Sequence, residues 1–509
     1  MSAASDLSAS APTASGHASY IQILKSTLLI GGSTAINILF SIVRNKAAAM
    51  LLGPEGFGLM GLYNSVLDLT QAVAGLGVNS SAVRQVAEAA ATGDRSRITV
   101  TTIVVRRVSI VLGLAGFLLL CAVSAPVARL TFGDTAHAAG VALVAIAILF
   151  RLVSGGQVAL LQGLRRIADL ARVNTLGAFL ATLLTIPMLF FFGKNGIVPS
   201  LVAGAAVTLV VSWVYARRVD IGTRAVGLRE TGRESSELVK LGLALMASGL
   251  VSVGSAYLIR LIVVHYEGIA AAGFYQAAWT LGGMYAGFIL QAMGADFYPR
   301  LTAVCNDADT CNRLVNEQAQ IGMLLAGPGL VATLTVTPLV VALFYSSQFH
   351  EAVEVLRWIC LGMMLRIVSW PIGYIILAKG ARLALLATEI AAGVVHVGLA
   401  WLLTKRFGVA GAGAAFFCLY VWHGLLVYAI VRRMTGFRWS AANLRLALVF
   451  LPAAAAVFAA FLLLSQLQAT MFGLAVTVAT GLHSLRMLVR LLPADALPAP
   501  LRAWVPKKS

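Results

Sequence analysis

The chain has 509 residues, 59% of them hydrophobic and only 11% charged. An ordinary soluble domain carries roughly 25% charged residues, so a water-covered fold of this size is excluded. The formal net charge of +18, from 38 Lys and Arg against 20 Asp and Glu, would suggest nucleic acid in a soluble chain; in so apolar a chain the cytoplasmic loops of a membrane protein come first.

Residues 1–20 are Ser/Ala-rich and polar, without a basic stretch ahead of a short apolar core. They read as a disordered cytoplasmic tail rather than a cleaved signal. Behind them the apolar residues form blocks such as Val108–Val123, Val331–Phe344 and Leu446–Leu464, suited to helical spans of about 20 residues. Short alternating strands are missing, which disfavours an outer-membrane barrel. The expectation is an all-α polytopic membrane protein with about fourteen helices. Its spans are predicted at 24–50, 57–80, 102–124, 138–161, 172–192, 197–216, 239–264, 270–293, 317–344, 354–377, 384–404, 409–431, 446–465 and 470–489. The predicted organisation is an N-lobe of six spans over 21–220, a cytoplasmic linker over 221–238 and a C-lobe of six spans over 239–433. Two further spans over 434–492 and a cytoplasmic tail over 493–509 complete it.

Basic residues alternate from one connection to the next. Arg84, Arg95, Arg97, Arg106 and Arg107 share one side with Arg165, Arg166 and Arg172, with Arg217–Lys240, and with Arg432, Arg433, Arg438 and Arg445. The intervening loops hold little beyond Arg129, Lys194, Lys405 and Arg406. That asymmetry places both termini in the cytoplasm and absorbs most of the positive charge, so no nucleic-acid partner is expected. Three of the five cysteines lie in predicted spans, and Cys305 and Cys311 do not have zinc spacing. All five read as structural.

An internal repeat runs through the chain. Glu55-Gly56, with Gly61-Leu62-Tyr63-Asn64 behind it, is answered by Glu267-Gly268 and Gly273-Phe274-Tyr275-Gln276, an offset of 212 residues. Gly163-Leu164-Arg165-Arg166 is answered by Gly380-Ala381-Arg382, and Gly196 by Gly408. Six spans per copy is an even number, so both copies enter from the same side. A pseudo-twofold axis along the membrane normal and a cleft between two bundles are then expected.

The turn Leu51-Leu52-Gly53-Pro54-Glu55-Gly56-Phe57-Gly58, the Leu62-Tyr63 that follows, and the exit Gln162-Gly163-Leu164-Arg165-Arg166 resemble the Wzx-type polysaccharide flippases. These serve O-antigen and exopolysaccharide synthesis and belong to the superfamily that also holds multidrug exporters and lipid II flippases. The resemblance covers the whole chain by span count, loop length and repeat, through short motifs. It implies two six-helix lobes around a central cavity, two added helices and a bacterial inner-membrane location. It implies a substrate too, an undecaprenyl-(pyro)phosphate-linked oligosaccharide moved from the cytoplasmic to the periplasmic leaflet. Membrane lipids, a polysaccharide polymerase and a chain-length regulator are the partners it implies.

Ionisable groups inside spans cost at least a few kcal/mol unless they face protein or a wet cavity. The basic ones are Arg44, Lys46, Arg151, Arg260, Arg357 and Arg366, and the acidic ones Asp68, Glu354 and Glu389. A lipid pyrophosphate needs a cationic surface, and a guanidinium fork can hold phosphate bidentately. Arg44, Lys46, Arg151, Arg260 and Arg366, with Asn64 and Gln276 on polar stripes, are therefore the candidate substrate-binding residues. Asp68, Glu389 and His396 are candidates for coupling to an ion gradient. Each has a plainer reading: Arg44, Lys46 and Arg357 can snorkel, Asp68 can neutralise an arginine, and Glu389, His396 and the amides can bond helix to helix.

No P-loop, zinc helix or nucleophile elbow occurs, and neither cofactor nor metal is expected. An ion-coupled multidrug or cation exporter of the same architecture is the alternative. It is disfavoured because such substrates call for buried carboxylates. A membrane glycan polymerase ranks third, since the predicted periplasmic loops are short.

Overall fold

The computed structural model describes residues 14–219 and 226–491. The predicted tails therefore fall largely outside the described residues, as does the segment 220–225 of the predicted linker, whereas Ala14 already opens a helix.

Hydrocarbon offers no partner for peptide groups, so an apolar chain in a membrane must bond its backbone within each helix. The first half consists of α1 (Ala14–Ala74), α2 (Val78–Ala91), α3 (Arg95–Ala122), α4 (Ser124–Phe132), α5 (Ala138–Gly163), α6 (Ile167–Phe192) and α7 (Ile197–Ala216). The second half holds α8 (Leu228–Val304), α9 (Ala308–Thr335), α10 (Thr337–Phe344), α11 (Ala352–Ala378) and α12 (Arg382–Thr435). The chain closes on α13 (Ala441–Leu463) and α14 (Gln466–Leu491). Among the described residues nine stretches are long and apolar enough to cross a membrane, and α9 with α10, bent by 81°, forms a tenth. Four of them turn back at a glycine: Gly53 in α1, Gly193 between α6 and α7, Gly268 in α8 and Gly408 in α12. Each of the four is thus two passes, and fourteen helical passes result, as the apolar blocks predict. The protein is an all-α, multi-pass membrane protein.

The chain divides into two compact units, each drawn from separate stretches of sequence. Unit 1 holds the described part of Met1–Ala47 with Thr70–Ala125 and Ala138–Met246. Unit 2 holds Ala48–Leu69, Pro126–His137 and Ala247 onward. In unit 1, Val78, Val86, Val104, Val105, Leu160 and Leu238 make the core; in unit 2, Phe297, Val315, Ile375, Val427 and Phe437 do. Large apolar side chains also face outward, as a lipid-bathed surface requires: Phe191 is 74% exposed and Leu463 81%.

Within unit 2 the second arm of α1 crosses the second arm of α8 at Gly58 and Gly273. A Cβ on Gly58 would overlap the Ile269 carbonyl, and one on Gly273 the carbonyl of Pro54. Only small residues let two helix backbones approach so closely. Nearby, Phe57 packs edge-on against Tyr345 and Phe349, and Thr131 shares a 2.6 Å hydrogen bond with Tyr257.

The repeat is present in the backbone, three residues out of the register that sequence identity suggests. Gly53 (φ 66°, ψ −175°) matches Gly268 (φ 83°, ψ 179°), and Gly193 (φ 52°, ψ −131°) matches Gly408 (φ 63°, ψ −152°). Both pairs lie 215 residues apart rather than 212. Arg165 (φ 54°) and Gly380 (φ 66°) lie at the same offset. There the hydrogen bonds Arg166 N–H to Leu161 C=O and Ile167 N–H to Arg165 C=O recur as Ala381 to Ile376 and Arg382 to Gly380. The paired Glu-Gly dipeptides stand out of that register; a sequence does not show which of several nearby glycines takes positive φ.

Candidate functional site

At an offset of 215, Arg151 and Arg366 are equivalent residues. The geometry around them repeats too: the Ser154 hydroxyl donates to the Arg151 carbonyl at 3.0 Å, and the Ser369 hydroxyl to the Arg366 carbonyl at 3.2 Å. The two arginines are thus equivalent residue for residue. Arg260 has no such counterpart, because Arg44 and Lys46 stand one residue to either side of the equivalent position, Asn45.

The candidate residues divide between the units. Arg44, Lys46 and Arg151 belong to unit 1, where Arg44 and Arg151 are close enough to act on each other electrostatically. Arg260, Arg366, Gln276, Asn64, Asp68, Glu389 and His396 belong to unit 2. There Arg260, Arg366, Glu389 and His396 line a single cavity of about 260 Å³ between α8, α11 and α12.

Each wall of that cavity has a local cause. Arg260 projects from the first arm of α8, and the second arm returns past the Gly268 break to place Gln276 against it. The Gln276 amide oxygen accepts from Arg260 Nε at 3.0 Å and Nη2 at 2.8 Å, while Gln276 Nε2 donates to Thr280 at 3.2 Å. Asp68 is exposed on α1, and its charge acts on Arg260. Asn64 donates to the Met60 carbonyl one turn back at 3.0 Å. Glu389 and His396, seven residues apart, share one face of α12, and His423 comes from its second arm.

Four buried side-chain atoms on this lining have no hydrogen-bond partner: Arg366 Nε, Glu389 Oε2, His396 Nε2 and His423 Nδ1. His396 is only 8% exposed. An unsatisfied buried polar group costs about 1–3 kcal/mol, and these four lie on one cavity lining, carried by α11 and both arms of α12.

Sequence reasoning missed the aromatic wall. Tyr275 stacks on Trp279 (centroids 6.1 Å, 25° between planes), Trp279 meets Phe416 edge-on at 5.2 Å, and Phe416 meets Tyr420 at 4.9 Å. The Arg366 guanidinium lies 5.8 Å from the Tyr420 ring. The available signal was Tyr275 within the repeated motif and Trp279 one turn beyond it. Tyr420 also borders an apolar cavity of about 480 Å³ between α9, α11, α12 and α13. Arg357 points elsewhere: its guanidinium stacks at 3.7 Å on Phe461 of α13 and ties that helix to α11. Among the described residues no group of three or more His, Cys, Asp or Glu is placed to hold a metal ion.

Comparison with known proteins bears on this site. The chain is 22% identical to the lipid III flippase of Escherichia coli (strain K12) over 411 residues, 79% of this chain and 96% of that one. The lipid III flippase of Shigella flexneri matches to the same extent. Among solved structures, the lipid II flippase MurJ in an inward closed conformation superposes with a TM-score of 0.69 at 12% identity, over 92% of this chain and all of that one. An inward-facing multidrug resistance MATE transporter of the MOP superfamily gives 0.65 at 18% identity, over 79% and 94%. These likenesses establish a fold shared with flippases and multidrug exporters. The model of the family described as polysaccharide biosynthesis protein matches residues 48–354, more than half of the sequence, and the chain belongs to that family.

Proposed function

We propose that this protein is a flippase that carries an undecaprenyl-(pyro)phosphate-linked oligosaccharide across the bacterial inner membrane by alternating access. The cavity in unit 2 carries the reading: two arginines, a glutamate and two histidines gathered in an otherwise apolar helical body. Such groups are expensive within a membrane and persist where they meet a polar passenger. Two guanidiniums suit an anionic head group better than the cationic substrates of a multidrug exporter. Arg44 and Arg151 form a second basic pair in unit 1 for the same passenger.

The basic helix ends opposite the four glycine turns face the cytoplasm in this reading, so the head group enters there while its polyprenyl tail stays in lipid. Glu389 and His396 share the cavity with the arginines, so a proton bound there changes the charge that the head group meets. The family and the lipid III flippase relatives support a lipid-linked glycan as passenger.

The test is glycan export in cells whose own flippase has been deleted. Restoration by the wild type is expected, with at least a tenfold loss for the Arg260→Ala, Arg366→Ala double variant. Full export by the double variant, at normal abundance in the membrane, would refute the cationic site.

A further inference from the structure

We propose that the cavity between α8, α11 and α12 is a sugar subsite that takes one pyranose ring of the passenger, with a uronate preferred over a neutral sugar. Its atoms of both polarities narrow the class of ligand. Arg366 Nε can only donate, Glu389 Oε2 accepts when ionised, and His396 Nε2 and His423 Nδ1 can do either. A phosphate has only acceptors in its ionised form, so it would leave Glu389 Oε2 without a donor. A metal cation would be repelled by Arg260 and Arg366. A polyol carries hydroxyls that donate and accept, so it can meet all four atoms at once.

The aromatic wall supplies the other half of the recognition. Tyr275, Trp279, Phe416 and Tyr420 form a continuous series of rings along one side. The electron-rich face of an aromatic ring attracts the weakly positive C–H face of a pyranose. Mostly apolar walls with a few convergent polar groups are the usual build of a small-molecule site, and about 260 Å³ suits one ring. On the lining itself Arg260 and Arg366 outnumber Glu389, which favours a carboxylate on the sugar. This set of lining residues is a feature of one repeat: positions 215 residues before Glu389, His396, Tyr420 and His423 are Asn174, Ala181, Ala205 and Thr208.

This inference rests on the head-group reading above for how the sugar arrives, and its test uses free ligands so that the two can fail separately. Full-length protein in nanodiscs is mixed with D-glucuronate or D-glucose, and saturation transfer from protein to sugar is measured by NMR. Transfer to both is expected, stronger for glucuronate. Trp279→Leu should weaken both sugars by about tenfold, and Glu389→Gln should weaken D-glucose by about tenfold, equivalent to ~1.4 kcal/mol, while widening the preference for glucuronate. Glu389→Gln keeps the shape of the site, so it decides the matter if Trp279→Leu fails to fold. Inorganic pyrophosphate should not displace the sugar. Absence of transfer, transfer unchanged in Glu389→Gln, or displacement by pyrophosphate would overturn the sugar subsite; the last would mark the cavity as a phosphate site. Normal glycan export alongside any of these results would leave the flippase reading standing.

Discussion

Arg151 and Arg366 sit at the same place in the two repeats, each with a serine three residues on that bonds the arginine carbonyl. Their neighbourhoods differ. Around Arg366 stand Glu389, His396, Tyr420 and His423, where the other repeat has Asn174, Ala181, Ala205 and Thr208. The exchange also runs the other way. In unit 1 the Ser212 hydroxyl donates to Gln157 Oε1 at 2.5 Å; the equivalent pair in unit 2 is Val427 and Ile372, both in its apolar core. A duplicated backbone has thus kept its turns and its arginine while polar groups moved from a helix–helix bond in one copy to a cavity in the other.

Substitutions at repeat-related positions test that contrast. The largest effect is expected where both copies depend on the same backbone. Gly53→Val and Gly268→Val each force a β-branched residue to positive φ and should cost about 2–3 kcal/mol. Gly53→Val should be the worse of the two, because its Cβ would meet Gln348 Oε1 at 3.1 Å whereas nothing lies within 4 Å at Gly268. Thermal unfolding in detergent measures this, and tolerance of either variant would show that the shared turn is incidental.

A smaller effect tests the exchanged polar pair. Ser212→Val leaves the buried Gln157 amide without its partner and should cost ~1–3 kcal/mol. Adding Gln157→Ile, which installs the apolar pair of the other repeat, should recover most of that loss. A double variant no more stable than Ser212→Val would mean that the two repeats do not pack alike here.

The smallest effect concerns the helix exits. Arg165 holds φ 54° where the other repeat has Gly380 at φ 66°. Arg165→Gly should therefore stabilise by about 0.5–1 kcal/mol and Gly380→Ala destabilise by about 1 kcal/mol. The same unfolding assay would show both shifts, and shifts of the same sign would contradict the equivalence.

The parts legible in the sequence are those that a membrane enforces. Apolar blocks must become helices, so the fourteen passes follow from hydropathy alone. Charges in such blocks must gather, and the spacing of Glu389 and His396 already put them on one helical face. The register of the repeat was not legible, because Gly53 and Gly56 look alike until one of them turns. Nor was the aromatic wall, since Phe416 and Tyr420 in an apolar span are indistinguishable from lipid-facing or core aromatics. The convergence of Arg260 and Arg366 on one cavity was not legible either, because it joins α8 and α11, helices far apart in sequence.

We propose that the arginines of unit 2 hold the head group of a lipid-linked glycan during its passage. The most direct measurement uses proteoliposomes carrying a fluorescent undecaprenyl-pyrophosphate-linked oligosaccharide, with a membrane-impermeant quencher reading the leaflet it occupies. Wild-type protein should move the lipid between leaflets, and the Arg260→Ala, Arg366→Ala variant should fall to the rate of protein-free vesicles. A wild type no faster than empty vesicles, or a double variant as fast as the wild type, would contradict the account.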